Sequence, residues 1–171
     1  MTPSLGWLVA LAASYPWLLA GDLLGDLLAP WHLLVFLPGL LLTTPLLRLR
    51  PWQALLFAAC LGLAYESRRP LPHGSAAFVL MALAALLQAN RHLLVRRRAH
   101  LVAAAANLAA CLLILPLASI DHPGEDWSVW LWSLPLQAAF AGLLGLVLHP
   151  LAGSFQSALL ERAGFPQIRE P

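Results

Sequence analysis

Three charged residues beside an apolar stretch are the first candidates for chemistry in this 171-residue chain. Glu66 ends the stretch, and Arg68 and Arg69 follow it closely. A charged group at the centre of a membrane helix costs about 2.5 to 3.5 kcal/mol by insertion scales, so such groups are normally paired or functional. The pattern leaves two interpretations open: an ion pair between Glu66 and the two arginines, or a contact with a protein partner.

Two amide side chains, Asn107 and Gln137, fall within long apolar stretches. An amide in lipid finds its hydrogen-bond partner on a neighbouring helix, and such bonds are worth about 0.6 kcal/mol on average. We therefore predict interhelical hydrogen bonds from both side chains, and structural contact is favoured over ligand binding. Basic residues near the end of another apolar stretch are predicted to anchor the chain to anionic lipid headgroups. They are Arg91, Arg96, Arg97 and Arg98.

The sequence patterns of common catalytic and metal sites are missing. The histidines never recur at the four-residue spacing that a helix-borne metal site uses, and both cysteines lie in apolar segments away from other potential ligands. No serine stands in a G-x-S-x-G motif, and no two carboxylates are placed as an acid–base pair within an apolar segment. We therefore expect no catalytic residue, no metal, no cofactor and no enzymatic activity.

The elements that must position these residues are apolar helices. The chain is 60% hydrophobic and 11% charged, too few polar residues to cover a soluble globule. Six segments approach the roughly 20 residues that a helix needs to cross a bilayer: 5–20, 31–47, 52–65, 75–94, 100–120 and 129–149. We predict an all-α, polytopic membrane helix bundle of about six transmembrane helices. One domain covers residues 1–160, and a short cytoplasmic tail covers 161–171.

Two of the six segments depart from a regular span. Segment 31–47 contains Pro38, Gly39 and Pro45, which predict a kink or a split into a shorter, irregular span. Segment 52–65 is short for a straight crossing, and we expect it to span with help from the flanking chain. The second segment is therefore the least regular of the six.

Arginine placement predicts the orientation, because arginines in short loops are retained on the cytoplasmic side. With both termini cytoplasmic, the outer loops hold only Arg68 and Arg69. We expect a multi-pass membrane protein with this orientation. The net charge of +2 is too small to indicate a nucleic-acid partner. The remaining arginines then lie inside: Arg48, Arg50, Arg91, Arg96, Arg97, Arg98, Arg162 and Arg169.

One block of sequence goes beyond generic hydrophobicity. It reads G-L-A-Y-E at 62–66, P-L-P-H-G at 70–74 and A-A-F at 76–78, and a basic run follows the next apolar segment. This block resembles the rod shape-determining protein MreD family, in which a helix typically ends in G-x-x-x-D before a loop with Pro and Gly. Here Glu66 stands where the family usually has Asp. Length, span count and the basic tail are similar over nearly the whole chain.

The resemblance implies a non-enzymatic scaffold of the cell-shape machinery, the elongasome, in the bacterial cytoplasmic (inner) membrane. Such a protein binds the bitopic membrane protein MreC and couples lateral peptidoglycan synthesis to the MreB cytoskeleton, RodA and a penicillin-binding transpeptidase. The residues of the matching block that we expect to bind the partner are Glu66, Arg68, Pro72 and Gly74.

The same resemblance supplies a second hypothesis. In fold, the family is similar to the S-components, the substrate-binding subunits of energy-coupling-factor transporters. This implies an alternative function as a small-molecule, vitamin-type carrier component with an outward-facing pocket. A polar vitamin needs several convergent polar groups in the outer half of the bundle, and the sequence offers few there. The scaffold is therefore the favoured hypothesis.

Overall fold

The computed structural model describes residues 5–31, 33–69, 71–90, 99–118 and 127–165. Every regular element within these ranges is helical, which confirms the all-α prediction for the described chain. A short 3-10 turn follows the first helix. The α-helices are α1 (Gly6–Leu28), α2 (Pro38–Leu46), α3 (Pro51–Glu66), α4 (Ser75–Ala89), α5 (Ala99–Ala118) and α6 (Trp127–Arg162).

Three helical stretches are long and apolar enough to cross a membrane, namely Gly6–Trp31, Ala99–Leu117 and Trp132–Arg162. A fourth helix, Ser75–Ala89, is apolar but shorter. Large hydrophobic side chains such as Trp132, which is 85% exposed, face outward rather than into the core. An apolar exterior of this kind is what a helical membrane protein presents to lipid.

Small residues allow neighbouring helices to pack closely. A Cβ atom added to Gly145 of α6 would lie 2.8 Å from the Cα atom of Ala104 in α5. A Cβ atom on Gly39 of α2 would lie 2.5 Å from the carbonyl oxygen of Ala106, again in α5. Helix pairs in membranes approach this closely only where small side chains line the contact. Helix α5 is therefore held tightly against both α2 and α6.

The bundle has two polar ends. At one end, called the Arg48 end, Gly6 lies against Leu49 and Phe165, so that the start of α1 meets the chain that follows α6. At the other, called the Arg68 end, Asp22 near the end of α1 contacts Arg68 in the turn after α3. Helices α1 and α6 are therefore antiparallel, and the first and last described residues lie at the same end.

The second predicted span is split rather than continuous. Residues 33–37 are not helical, and α2 begins at Pro38, a position where a missing N–H group costs nothing. All nine residues of α2 are buried. This short helix therefore lies inside the bundle, surrounded by the other helices.

The sixth predicted segment ends too early. It was expected to stop at His149, whereas α6 continues through Pro150 to Arg162. Proline removes one helical hydrogen bond, but its φ angle suits a helix, and tertiary packing can compensate for that bond. Burial of Ala152 and Leu160 in the core stabilises this second half of α6. Hydropathy alone did not reveal this half because polar residues interrupt its apolar pattern, namely Ser154, Gln156, Ser157 and Glu161.

Candidate functional site

The carboxylate of Glu66 binds the beginning of the next helix. Its Oε2 atom accepts a hydrogen bond from the backbone N–H of Gly74 at 2.8 Å, and its Oε1 atom accepts from those of Ala76 and Ala77, the latter at 3.0 Å. The first N–H groups of a helix have no intrahelical partner and carry its positive dipole end, so a carboxylate there is stabilising. Glu66, which is 7% exposed, therefore caps α4 from the end of α3.

Gly62 makes this cap possible. It lies one helical turn before Glu66, and a Cβ atom at Gly62 would lie 2.4 Å from the Cα atom and 2.5 Å from the backbone nitrogen of Ala77. Only glycine allows the backbones of α3 and α4 to approach this closely. The G-x-x-x-E pattern of the sequence is therefore a packing contact followed, on the same helix face, by a capping carboxylate.

The ion pair between Glu66 and its neighbouring arginines is not the arrangement found. Arg68 and Arg69 instead bind the carboxylate of Asp22 in α1, with nitrogen–oxygen distances of 2.8 and 3.1 Å. The hydrogen bond to Asp22 raises the pKa of the Arg68 guanidinium above its ordinary value. The ion-pair interpretation of Glu66 is therefore wrong. Sequence proximity favours a local pair, but the fold places the carboxylate of Asp22, near the end of α1, within bonding distance of both arginines.

Aromatic rings complete this cluster. The guanidinium carbon of Arg68 lies 4.9 Å from the ring centre of Tyr15, whose hydroxyl accepts a hydrogen bond from the same side chain. The guanidinium carbon of Arg69 lies 5.7 Å from the ring centre of Tyr65. Stacking on aromatic faces suits the planar guanidinium group. Sequence reasoning missed the contribution of Tyr15 to this cluster, because Tyr15 lies 53 residues before Arg68 in the sequence.

The turn between α3 and α4 contains the other two predicted partner-binding residues. Gly74 has a φ angle of +82°, a left-handed conformation that favours glycine. The carbonyl of Pro72 accepts a hydrogen bond from Ser75 N at 3.1 Å, and His73 between them is exposed. Bound to Glu66 on its inner side, the turn is fixed while its outer side faces away from the core.

Little empty space accompanies this cluster. The cavity between Asp22, Tyr65, Arg68 and the start of α2 holds about 10 Å³. A single water molecule needs a cavity of roughly this size, whereas small-molecule sites measure about 300 to 1,000 Å³. The cavity between these described residues is therefore too small for a small-molecule ligand, and the residues form a closely packed polar surface at the Arg68 end.

Asn107 supports the non-helical segment before α2. Its side chain is fully buried, its Oδ1 atom accepts from Leu40 N at 3.1 Å, and its Nδ2 atom donates to the carbonyls of Phe36 and Ala141. These two donor bonds measure 2.6 and 2.8 Å. One amide therefore satisfies backbone groups of both α2 and α6. Irregular backbone is tolerated at membrane depth only when other protein groups satisfy it in this way.

Gln137 adds a second bond to the same segment. Its Oε1 atom accepts from Leu34 N at 2.8 Å. Farther along α6, Gln156 donates to the hydroxyl of Ser14 and to the carbonyl of Leu41. Sequence reasoning did not single out Gln156 because the predicted sixth segment ended at His149, before this residue.

No protein-family model, no curated protein and no solved structure matches this chain. The geometry of the chain itself must therefore carry any functional conclusion. Within the described ranges, no three His, Cys, Asp or Glu side chains are grouped so as to hold a metal. The predicted lipid anchors lie outside the described residues: Arg91, Arg96, Arg97 and Arg98.

Proposed function

We propose that this chain is a non-enzymatic membrane scaffold of the bacterial cell-shape machinery. In this role it binds an MreC-like bitopic membrane protein and couples lateral peptidoglycan synthesis to the MreB cytoskeleton, together with RodA and a penicillin-binding transpeptidase. The observation that carries the proposal is the closely packed polar surface at the Arg68 end, whose charged groups are hydrogen-bonded to one another and to the backbone. Such a surface suits a protein contact, in which partly exposed charges steer and orient the partner.

The proposed docking surface consists of Arg68 and the turn from Pro72 to Gly74. The side chain of Arg68 is 25% exposed, and that of its ion-pair partner Asp22 is 31% exposed. Glu66 is buried and its oxygens are occupied by backbone N–H groups, so its proposed contribution is to hold the turn in place. A pre-ordered turn loses little conformational entropy on binding, which favours affinity.

We further propose that the chain crosses the membrane six times. The second crossing combines the five residues 33–37 with the nine residues of α2. Leu37 is not extended, so four extended residues at about 3.3 Å and ten at about 1.5 Å reach at most about 28 Å, close to the roughly 30 Å thickness of the hydrocarbon core. The Arg48 end is then cytoplasmic, in agreement with the positive-inside rule.

This orientation predicts the result of a reporter experiment. A reporter that is active only in the cytoplasm should be active when fused after Pro171, because both termini are proposed to lie inside. A second reporter, active only in the periplasm, should give the opposite result at the same position. Periplasmic activity of the fusion after Pro171 would reverse the proposed topology and place Arg68 inside.

Copurification tests the scaffold role. After mild crosslinking in native membranes, the wild-type chain should capture, in roughly stoichiometric amounts, a bitopic protein with a periplasmic domain. Glu66→Ala should reduce this capture about tenfold, as expected when a docking turn loses its support and about 1.4 kcal/mol of binding energy is lost. The captured amount is measured by quantitative mass spectrometry, normalised to the level of the chain in the membrane.

The matched control is Glu161→Ala, which removes a carboxylate at the opposite end of the bundle. Capture by this variant should equal that of the wild type. If Glu66→Ala captures the partner normally at normal membrane levels, the turn is not the docking surface. If the wild-type chain captures no bitopic protein and instead retains a vitamin-type small molecule, the carrier hypothesis replaces the scaffold.

A further inference from the structure

A polar cavity of about 290 Å³ lies at the Arg48 end, between the end of α2 and the second half of α6. Its volume is close to the lower limit of about 300 Å³ for small-molecule sites. Among its lining residues are Thr44 and Arg48 on one side and His149, Ser154 and Ser157 on the other. The cavity is separate from the Arg68 end and has no part in the proposed partner contact.

Gly153 lines this cavity where α6 packs closely against α2. A Cβ atom at this position would lie 3.0 Å from the hydroxyl oxygen of Thr44 and 3.5 Å from the ring of His149. Pro150, one turn earlier, also lines the cavity and removes a backbone N–H from the α6 hydrogen-bonding pattern. Two residue types that weaken a helix thus stand where α6 borders the cavity.

The α2 side of the cavity offers hydrogen-bond donors. The side chain of Arg48 is 7% exposed and uses two N–H groups, one for Glu161 at 2.7 Å and one for the carbonyl of Phe165 at 3.1 Å. A guanidinium has five N–H donors, so three remain. The carboxylate of Glu161 is 61% exposed, and water therefore screens much of its effect on Arg48. The hydroxyl group of Thr44 lies on the same side of the cavity and can donate one further hydrogen bond.

The α6 side offers acceptors. The hydroxyls of Ser154 and Ser157 donate to the carbonyls of Leu151 and Ser154, so their oxygens keep free lone pairs. The Nδ1 atom of His149 lies 3.4 Å from Thr43 Oγ1, whose own proton is donated to a backbone carbonyl. His149 Nδ1 is therefore the donor in that contact, and the neutral ring has Nε2 as an acceptor.

A ligand that fits both sides needs anionic oxygens at one end and hydroxyl groups at the other. We propose that the cavity binds a phosphate ester of a polyol, with the phosphate on Arg48 and Thr44 and the hydroxyls on His149 and the two serines. Arginine binds phosphate through charge-assisted, geometrically defined hydrogen bonds. The headgroup of phosphatidylglycerol has this chemistry, as does soluble glycerol phosphate.

The position favours the lipid as the source. Basic pockets between transmembrane helices on the cytoplasmic side bind anionic headgroups, and the Arg48 end is the proposed cytoplasmic end. Such binding is specific, unlike that of an exposed basic run, because acceptors on α6 select for hydroxyls. Phosphatidylserine carries the same net charge but no glycerol hydroxyls in its headgroup, so it serves as the discriminating competitor.

Native mass spectrometry of the full chain in detergent provides the test. We expect one phosphatidylglycerol to be retained, with an affinity about tenfold higher than that for phosphatidylserine, the ratio that corresponds to about 1.4 kcal/mol. Arg48→Lys keeps the charge but loses the guanidinium fork, and it should weaken retention by about the same factor. The control Arg162→Gln removes a charge from an exposed position on α6 and should leave retention unchanged.

A second variant keeps the test decisive if Arg48→Lys fails to fold. Ser157→Leu fills the cavity while the side chains of Arg48 and Glu161 are kept, and it should abolish selective retention. Competition by soluble glycerol phosphate alone, without retention of the lipid, would support the site and assign it a soluble ligand. Equal retention of both lipids, or retention that neither cavity variant changes, would overturn the proposal.

Discussion

Asn107→Leu is expected to destabilise the folded protein by about 2 to 6 kcal/mol, because two backbone groups are left without a buried hydrogen-bond partner at about 1 to 3 kcal/mol each. The groups are Leu40 N, in the first turn of α2, and the carbonyl of Phe36, whereas the carbonyl of Ala141 lies inside α6 and keeps its helical hydrogen bond. An average interhelical bond in a membrane is worth only about 0.6 kcal/mol, since its partners find other bonds when it is lost. The non-helical segment has no helical hydrogen bonds to which its backbone can return.

Reversible unfolding in mixed micelles measures this effect. Asn107→Asp should be worse than Asn107→Leu, because aspartate keeps the acceptor for Leu40 N but loses both donors and adds a buried charge. Asn90→Leu is the control: its amide makes one exposed bond to Leu86 O, and its loss should cost less than about 1 kcal/mol. If Asn107→Leu is as stable as Asn90→Leu, the amide does not support the segment.

Some of this architecture was predictable from hydropathy and residue type. The apolar helices follow from composition, and the irregular second span follows from Pro38, Gly39 and Pro45. The amide of Asn107 was expected to bond between helices, and the structure places it between α2, α5 and α6. What the sequence could not give was the partner, because the backbone groups that Asn107 binds lie up to 71 residues away.

The Arg68 end shows why local reasoning has a limit. Sequence proximity favoured an ion pair between Glu66 and Arg68, but in the structure each side chain binds a different group. Glu66 accepts hydrogen bonds from backbone N–H groups at the start of α4, and Arg68 forms an ion pair with Asp22 near the end of α1. Both outcomes depend on how closely α1, α3 and α4 meet, which is a tertiary property. Spacing alone also did not reveal that Gly62 and Glu66 act on the same neighbouring helix.

Gly62→Ala is therefore expected to cost about 3 kcal/mol or more, since overpacking alone costs typically about 1 to 3 kcal/mol and the displaced cap adds to it. The new Cβ atom would lie 2.4 Å from the Cα atom of Ala77, whereas nonbonded carbons prefer about 3.5 to 4.0 Å. Helices α3 and α4 must then move apart by about 1 Å. Gly25→Ala in α1 is the control, because its Cβ would meet only one atom, at 3.8 Å.

Two further measurements separate this mechanism from a general loss of stability. Ala77→Gly should fail to rescue Gly62→Ala, because the atoms in the way belong to the backbone of Ala76 and Ala77. The double variant Gly62→Ala with Glu66→Ala should cost less than the sum of the single variants, since both disrupt the same junction. Rescue by Ala77→Gly, or strict additivity, would mean that close approach of the two helices does not position the capping carboxylate. The turn proposed to receive the partner would then need another support, because Glu66 reaches Gly74 N only while α3 and α4 remain in this contact.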